Sequence, residues 1–320
     1  MTKTLTIICW AITALVLIAL IVWFLTGNIF GVQTDFSFTN FDYSGGDFYN
    51  GRHDKVYEYT VSAKDISSLK VDWISGTVTI TPYSGEDIIV TEYANRDLEE
   101  NEQLVLKESG RTLVVEYCAM TRFVTNMSKL LEIKIPESLV AKLADVEVDA
   151  VSADVKIDTL TLEKLNLSVV SGDISLVDMS MTLARLDSTS GDFRLNAVDV
   201  DDLFINTVSG TTRTESSWIR KFKGDSTSGD FILEGTIEEI DISTVSGGVK
   251  ITSGVVPEKV KCDTMSGDVD LFIPAGDAIS VRFDSMSGSL TGDIPMMLVK
   301  SGGYSFDSVS GDVTISRKAD

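Results

Sequence analysis

The sequence predicts an all-β protein, a parallel β-helix or β-solenoid of about 19-residue coils, which follows one N-terminal transmembrane α-helix. Three observations predict it: an uncharged apolar run near the N-terminus, a Ser-Gly-Asp motif at a nearly constant spacing, and period-two apolar alternation on both sides of that motif. The predicted order is a cytoplasmic tip, a transmembrane helix, an aromatic juxtamembrane segment, an N-terminal cap with irregular first coils, and regular repeats: 1–4, 5–25, 26–55, 56–145 and 146–320.

The N-terminal apolar run predicts a membrane anchor. Leu5 to Leu25 contains no charged residue, and as a helix it would extend about 31 Å, the hydrocarbon thickness of a bilayer. A cleaved signal peptide is the alternative, but its apolar core is normally shorter and ends in small residues, whereas this run ends Trp23-Phe24-Leu25. Lys3 precedes the run, so the positive-inside rule predicts a cytoplasmic N-terminus and an extracytoplasmic C-terminal domain in the cell membrane.

A repeat dominates the rest of the chain. Its motif reads apolar-x-apolar-Asp-x-apolar-Ser-Gly-Asp-apolar-x-apolar, and its glycine returns at spacings of 19, 19, 19, 18, 20, 21 and 23 residues, at positions 172, 191, 210, 229, 247, 267, 288 and 311. Ser152-Ala153-Asp154 is a variant copy one period earlier. An isolated copy at Ser75-Gly76 precedes that one by close to four periods.

Alternation on each side of the motif predicts two short strands with one buried face each. Such a small unit buries its apolar face only if successive coils stack, which places equivalent residues such as Leu167, Leu186 and Ile205 in one interior column. Each serine is then expected to join a hydroxyl ladder, and each glycine to adopt a positive φ, although Ala153 fits that conformation poorly. The predicted turn ladder is Ser171, Gly172, Ser190, Gly191, Ser209, Gly210, Ser228, Gly229, Ser266, Gly267, Ser310 and Gly311.

The less regular regions contain further strand signals. Asp87–Tyr93 and Leu131–Ile135 are predicted strands, and the sequence around Ser109-Gly110 predicts a hairpin. The variable part of each period predicts a third short strand. The charges at 316–318 are expected to discourage pairing at the C-terminal edge.

Composition limits the chemistry. The net charge is -21, and because Lys3 is the only charged side chain in residues 1–34, the remainder carries -22; such a field disfavours nucleic acid and attracts cationic peptides and divalent cations. The single histidine, His53, has no catalytic or zinc partner set. Cys118 and Cys262 are expected to be buried thiols, with a disulfide between them as the less favoured alternative.

Two acidic columns are the chemically suggestive feature. One lies four residues before the glycine and the other one residue after it, and like charges about 4.8 Å apart repel by roughly 0.9 kcal/mol even in water. A Ca²⁺-binding stripe would relieve that repulsion, whereas the alternative is that the carboxylates accept backbone N–H bonds at the corner. The candidate cation stripe is Asp187, Asp192, Asp225, Asp230, Asp263 and Asp268. No unique carboxylate pair stands out as glycan hydrolysis requires, so neither an enzyme nor a cofactor is predicted.

The recurring Val-Ser-Gly-Asp-Ile pattern behind one apolar run resembles the bacterial putative adhesin family, a domain of unknown function, over residues 56–316. The resemblance implies a β-helical, envelope-associated protein and, for some members, a link to envelope stress and antimicrobial peptides; it implies no catalytic residue. We therefore predict a cell-surface binding protein whose partner is the membrane together with an envelope protein, a glycan or a cationic peptide. The alternatives are a structural envelope scaffold and, less favoured, a glycan-active enzyme. Trp218, Met296 and Met297 are candidates for a partner-binding patch or for core capping.

Overall fold

The computed structural model describes residues 55–119 and 129–318. These residues belong to one compact unit, Arg52–Asp320. The second unit, Met1–Gly51, lies outside the described residues, and with it the predicted anchor at 5–25 and the aromatic segment up to residue 51. In the described ranges, no helix is both long and apolar enough to cross a bilayer.

Within the described residues, the secondary structure is almost entirely β, with one four-residue helix, α1 (Glu137–Val140), between two strands. The strands are β1 (Lys55–Val61), β2 (Ser68–Tyr83), β3 (Ile88–Ala94), β4 (Val105–Ser109), β5 (Thr112–Glu116), β6 (Lys129–Pro136), β7 (Asp145–Asp158), β8 (Thr161–Ser171), β9 (Ile174–Ser190), β10 (Phe193–Ser209), β11 (Thr212–Ser226), β12 (Phe231–Thr244), β13 (Val249–Ser253), β14 (Lys259–Thr264), β15 (Val269–Ile273), β16 (Ile279–Ser285), β17 (Leu290–Gly292), β18 (Met296–Leu298), β19 (Tyr304–Ser308) and β20 (Val313–Arg317).

The central strands form a parallel solenoid. Strand β10 pairs with β9 on one edge and β11 on the other, and its pairs fall in three runs, at 193–196, 198–200 and 202–207. Each central coil therefore has three sides, which confirms the predicted third strand in this part of the solenoid. The regions 254–258 and 274–278, where a third strand was also predicted, contain none. The predicted β-solenoid with coils of about 19 residues is likewise confirmed, and it has about nine turns.

The interior columns match the predicted stack. Leu167 is paired with Leu186, and Leu186 with Ile205, and these side chains are at most 1% exposed. Gly224 interrupts the same column because two rings fill its place. A Cβ at Gly224 would lie 2.6 Å from the ring of Phe231 and 2.8 Å from the ring of Phe222.

A second corner of the coil has a left-handed backbone. Thr159, Asp178, Ala197 and Ser216 follow one another at 19-residue intervals with φ between 49° and 54°. Such a conformation costs an L-residue roughly 1–2 kcal/mol. The solenoid therefore maintains this bend at four successive non-glycine positions.

The N-terminal end departs from chain order. Strand β2 pairs directly with β7 on one edge, and with β5 and β6 on the other. The segment 84–144, which connects β2 to β7, therefore adds no coil between these two strands. The spacing between the first two copies of the motif suggested four intervening repeats, and this segment does not form them. It forms instead the predicted strands β3 and β6 and the predicted hairpin β4–β5, which is antiparallel.

The C-terminal end is also reordered. Strand β14 pairs with β19, and β19 pairs on its other edge with β16. Likewise β20 lies between β15 and β17. The coil at 304–317 therefore fills a layer between the coils at 259–273 and 279–292. Strand β20 is therefore not the last layer, but Ser316 and Arg317 pair with β15 alone because β17 pairs only with residues 313–315. The expectation that the charges at 316–318 discourage edge pairing stays a prediction.

Candidate functional site

The Ser-Gly-Asp corner is built by close contact between coils. A Cβ on Gly191 would lie 2.0 Å from the carbonyl oxygen of Gly172, and each later glycine of the predicted ladder meets the glycine of the neighbouring coil in the same way. Positive φ values occur only at some copies, including Gly172, Gly191 and Gly210. Close approach, rather than a left-handed backbone, is what these positions share. Ala153 fits because β7 continues through it without a positive φ.

The serines of the ladder stack as expected. Ser171 pairs with Ser190, and Ser190 with Ser209. The coil-to-coil bond observed for a ladder hydroxyl runs to the main chain, from Ser228 Oγ to the carbonyl of Val208 at 3.2 Å.

The acids that follow the glycines bind the main chain of the next coil. Asp173 Oδ1 accepts the backbone N–H of Asp192 at 2.9 Å, and Asp192 Oδ1 that of Thr211 at 2.8 Å. Asp230 and Asp268 accept from Gly248 and Asp312 at 2.8 and 2.9 Å. Burial alone would raise the pKa of Asp173, yet Arg194 and this backbone N–H bring it below its usual value.

In the middle of the solenoid, the acids four residues before the glycines alternate with neutral residues. Asp187 is paired with Ser168 and Asn206, so the next carboxylates of the column are two layers away. Asn206 also donates to Asp187 at 2.5 Å. At the ends these acids do not alternate in this way, because Asp72 is paired with Asp149, and Asp307 is paired with both Asp263 and Asp284.

Cations in the neighbouring outward column offset the remaining charge. Lys223 lies 3.6 Å from Asp225, and Lys261 lies 2.6 Å from Asp263. Burial alone would lower the pKa of Lys261, but Asp263 and Asp241 raise it above its usual value. In residues 55–119 and 129–318, no three acidic, imidazole or thiol side chains are placed to hold a metal ion. The Ca²⁺ stripe stays a prediction.

An apolar column, which we call the corner stripe, runs along the outside of the same corner. Its members stand two residues before each glycine, and Val151, Val170 and Met286 are 44%, 38% and 80% exposed. In stacking order the corner stripe consists of Ile74, Val151, Val170, Thr189, Val208, Thr227, Val245, Met265, Val309 and Met286.

The corner stripe ends at a cleft of about 390 Å³, which we call the cap cleft. Ile74 and Val151 line it together with three carboxylates, Asp72, Glu116 and Asp149. Burial raises the pKa of Asp72, although Lys70 opposes the shift. The cap cleft therefore joins apolar and acidic groups in one concave surface.

Two aromatic rings line the cap cleft, supported by a buried cation. The rings of Trp73 and Tyr117 meet edge to face with their centroids 4.8 Å apart. Lys129 Nζ lies 4.3 Å from the centre of the Tyr117 ring and 2.6 Å from Glu92, and both charged side chains are fully buried. Burial raises the pKa of Glu92 and lowers that of Lys129, while their pairing opposes both shifts. Lys129 also donates to the backbone carbonyl of Glu102.

A second cleft, of about 340 Å³, lies on the third side of the coil around Trp218. We call it the Trp218 notch. Its lining includes Asp199, Glu234 and Thr236 but neither Met296 nor Met297. Met296 packs against the core and Met297 is 55% exposed, so the three residues suggested as one patch do not form one.

The two cysteines in the described ranges, Cys118 and Cys262, are free thiols. Burial raises the pKa of the Cys262 thiol. His53 and Cys9 lie outside the described residues.

Sequence reasoning missed the cap cleft. The pairing of β5 and β7 with β2 brings Glu116 and Asp149 beside Asp72, although both are distant from it along the chain. The motif around Trp73 indicated a coil, but nothing in the spacing indicated that Tyr117 would lie against it.

Solved structures that align with this chain include a putative adhesin from Bacteroides fragilis, at 14% identity and a TM-score of 0.49, which aligns over 83% of this chain and 98% of its own. A putative adhesin from Parabacteroides distasonis aligns over the same shares at 13% identity and a TM-score of 0.46. A putative lipid binding protein from the same species aligns at 16% identity over 83% of this chain and 96% of its own, with a TM-score of 0.43. No curated protein matches the chain.

The family comparison covers most of the repeat region. The family described as Toastrack DUF4097 matches residues 66–299, which is more than half of the chain. This match agrees with the resemblance drawn from the Ser-Gly-Asp motif and confirms the assignment to a domain family of unknown function. The chain belongs to the Toastrack DUF4097 family.

Proposed function

We propose that this protein is a membrane-anchored, extracytoplasmic binding protein of the cell surface, and that the corner stripe and the cap cleft bind cationic amphipathic peptides. The observation that carries the proposal is the continuity of the two surfaces, since Ile74 and Val151 belong to both. Residues 5–25 anchor the chain, and the solenoid presents the surface outside.

The corner stripe supplies the apolar half of the interaction. Burying exposed apolar surface is worth about 25 cal/mol per Å², and the stripe offers one apolar or threonine side chain per coil. Its members recur at the strand spacing of about 4.8 Å. A peptide lying along the stripe therefore meets side chains such as Val151, Val170 and Val208 in succession.

The cap cleft supplies the charge. Asp72, Glu116 and Asp149 line the cleft, and they are paired with two cations, Lys70 and Lys107, so these five groups carry a net charge of -1. The Trp73 and Tyr117 rings behind it provide an apolar floor next to those carboxylates. A lysine or arginine side chain matches this combination, because its methylene stem packs on apolar surface while its charged end meets the acids.

The test is a titration of the full-length protein in phosphatidylcholine nanodiscs with a labelled 20-residue peptide of leucine and lysine. Its matched control peptide has glutamine in place of lysine, and empty nanodiscs give the lipid background. We expect the lysine peptide to bind more tightly, with an affinity that falls as salt is raised, because the interaction is partly between exposed charges.

Variants place the binding on the molecule. The double variant Asp72→Asn/Asp149→Asn is expected to weaken binding by about 5- to 10-fold, since each exposed charge pair contributes up to about 1 kcal/mol. Val151→Ser/Val170→Ser is expected to weaken the binding of both peptides. Asp158→Asn, an exposed acid on another side of the β7 coil, serves as the control. Equal binding of both peptides, or insensitivity to the cap cleft variant, would overturn the proposal.

A further inference from the structure

The Trp218 notch arises from a one-residue deletion in the repeat. The register of β11 and β12 shifts between Thr214 and Ser217, so Gly235 stands opposite Ser217 and Thr236 opposite Trp218. Gly254 follows in the next coil, where its N–H donates to the carbonyl of Gly235 at 2.7 Å. Small residues thus replace the bulk that would otherwise cover one side of the indole, and a cavity of about 340 Å³ remains.

The glycine in the notch is required by packing. A Cβ on Gly235 would lie 2.2 Å from the carbonyl oxygen of Ser217, and its φ is +152°. The half-buried Trp218 ring is the only aromatic side chain among the described residues that line the notch. The notch therefore has a fixed backbone wall and one aromatic surface open to a ligand.

Three polar side chains around Trp218 are not used by the fold. Within the described ranges, the carboxylates of Asp199 and Glu234 and the hydroxyl of Thr236 make no hydrogen bond or ion pair. Ser217 differs, because its hydroxyl donates to the carbonyl of Glu215 at 2.9 Å and accepts the N–H of Val198 at 3.1 Å. Lys318 also lines the notch and supplies one ammonium group.

We propose that the Trp218 notch is a glycan subsite that holds one pyranose ring. The apolar C–H face of a sugar packs on an indole face, whose electron density is negative and attracts the polarised C–H groups. The sugar hydroxyls would donate to Asp199 and Glu234 and accept from Lys318, which matches the unused donors and acceptors on the wall. Two carboxylates beside the ring disfavour phosphate-bearing ligands such as nucleotides.

This inference concerns binding alone, with no bond made or broken. It is separate from the peptide surface, because the notch is lined by the third side of the coil while the corner stripe follows the Ser-Gly-Asp corner. Each site can therefore fail without the other.

The experiment uses the full-length chain in phosphatidylcholine nanodiscs, since sugar-headed detergents would compete. The probes are four tetrasaccharides with β-1,4-linked N-acetylglucosamine, β-1,4-linked glucose, α-1,4-linked glucose and β-1,4-linked mannose. Isothermal titration and tryptophan emission are recorded for each. Trp73 is 2% exposed, so a saccharide-induced change in emission that is absent from Trp218→Phe assigns the signal to the notch.

We expect at least one tetrasaccharide to bind the wild type, Trp218→Ala to weaken binding at least 10-fold, and Trp218→Phe to retain affinity within about 3-fold. Glu234→Gln and Thr236→Val are expected to weaken it about 3- to 10-fold. Phe204→Ala, a half-buried aromatic on another side of the coil, is the control for aromatic loss. An unchanged circular dichroism spectrum and an unfolding midpoint close to that of the wild type show that Trp218→Ala is folded. Absence of binding by all four probes, or binding that survives Trp218→Ala, overturns the glycan subsite.

Discussion

The middle of the solenoid and its two ends are built from the same coil, but they differ in how coils find their neighbours. From β8 to β12 each coil lies on the one before it in the chain, so the register between paired strands follows the period of the repeat. At the ends, long stretches of chain separate neighbouring strands, as they do for β2 and β7 and for β14 and β19. The period of a repeat thus predicts the shape of each coil. Which coil lies next to it in the stack is shown only by the pairing of the strands.

The reordered C-terminal end gives the largest expected effect, an all-or-none cross-link. With Cys9 and Cys118 replaced by alanine, the pair Lys261→Cys/Ser305→Cys should form a disulfide, because these residues are directly paired and strand spacing suits the bond. The buried Cys262 can remain, since burial raises its pKa and thiolate is the reactive form. Mass spectrometry under oxidising conditions measures the product.

The control for that cross-link is Asn166→Cys/Arg185→Cys in the middle, where chain order and stacking order coincide. Lys261→Cys/Arg282→Cys should not form a disulfide, because the layer of β19 lies between these residues and places them two strand spacings apart, roughly 9.6 Å. If it closes while Lys261→Cys/Ser305→Cys does not, the coils follow chain order to the end.

Close packing of coils gives the next largest effect. Gly191→Ala is expected to lower the free energy of unfolding by about 3 kcal/mol, because its Cβ would lie 2.0 Å from the Gly172 carbonyl oxygen at a φ of +143°. Gly311→Ala at the reordered end meets the Gly267 carbonyl at 2.1 Å and should cost a similar amount. Urea unfolding followed by circular dichroism measures both.

Gly248→Ala is the matched control, since the nearest atom to its Cβ is 3.7 Å away; we expect a change below about 1 kcal/mol. A mild effect at Gly311 beside a large one at Gly191 would mean that the end is packed more loosely than the middle.

The N-terminal cap is expected to lose stability in acid through Glu102. Hydrogen bonds from Arg96 and from the backbone N–H of Glu99 lower the pKa of Glu102 to about 2. Because this folded value is below the ordinary value of 4.5, the stabilisation is present above about pH 4.5 and is lost as the pH falls toward 2. Glu102→Gln should therefore lower Tm at pH 7 and show a smaller further loss between pH 5 and pH 3.

Glu100→Gln, an exposed neighbour, should keep the wild-type pH profile. The same acid sensitivity in Glu102→Gln as in the wild type would assign the acid response to carboxylates elsewhere.

Replacing either of two alanines by glycine gives the smallest expected changes in the free energy of unfolding, and the two changes have opposite signs. Ala197→Gly should stabilise by about 0.5–1 kcal/mol because residue 197 has a φ of 53°. Ala153→Gly should destabilise by a similar amount because residue 153 lies in the continuous strand β7. Thermal unfolding compares them, and equal signs would mean that the two corners are not distinct in shape.

The interior of the fold was predictable because burial leaves a direct trace in the sequence. The columns of Leu167, Leu186 and Ile205 follow from alternation, since an inward position must be apolar in every coil. The corner glycines were also found, but for a reason that alternation does not reveal. Their Cβ atoms would meet carbonyls of another coil, and that contact exists only once the coils are stacked.

The candidate sites were less predictable because they depend on contacts between distant segments. Trp218 was noticed as a bulky residue in the variable part, but the notch beside it depends on the deletion that moves Gly235 into register with Ser217. The cap cleft depends on the pairing of β5 and β7 with β2, from which they are distant along the chain. A charge column read from the sequence likewise overstated repulsion, because cations two residues away offset it.

The insertion of residues 304–317 between two layers that precede it in the chain bears on how the protein is made. A solenoid in strict chain order can mature progressively as each segment emerges during synthesis. Here the layer at 279–292 can pair with the rest of the solenoid only after residues 304–317 have been synthesised. A chain that ends before residue 304 therefore lacks the layer between 259–273 and 279–292, and both of these layers keep an unpaired edge. Completion of the final segment thereby closes the structure, and incomplete chains retain unpaired strand edges that proteases can recognise.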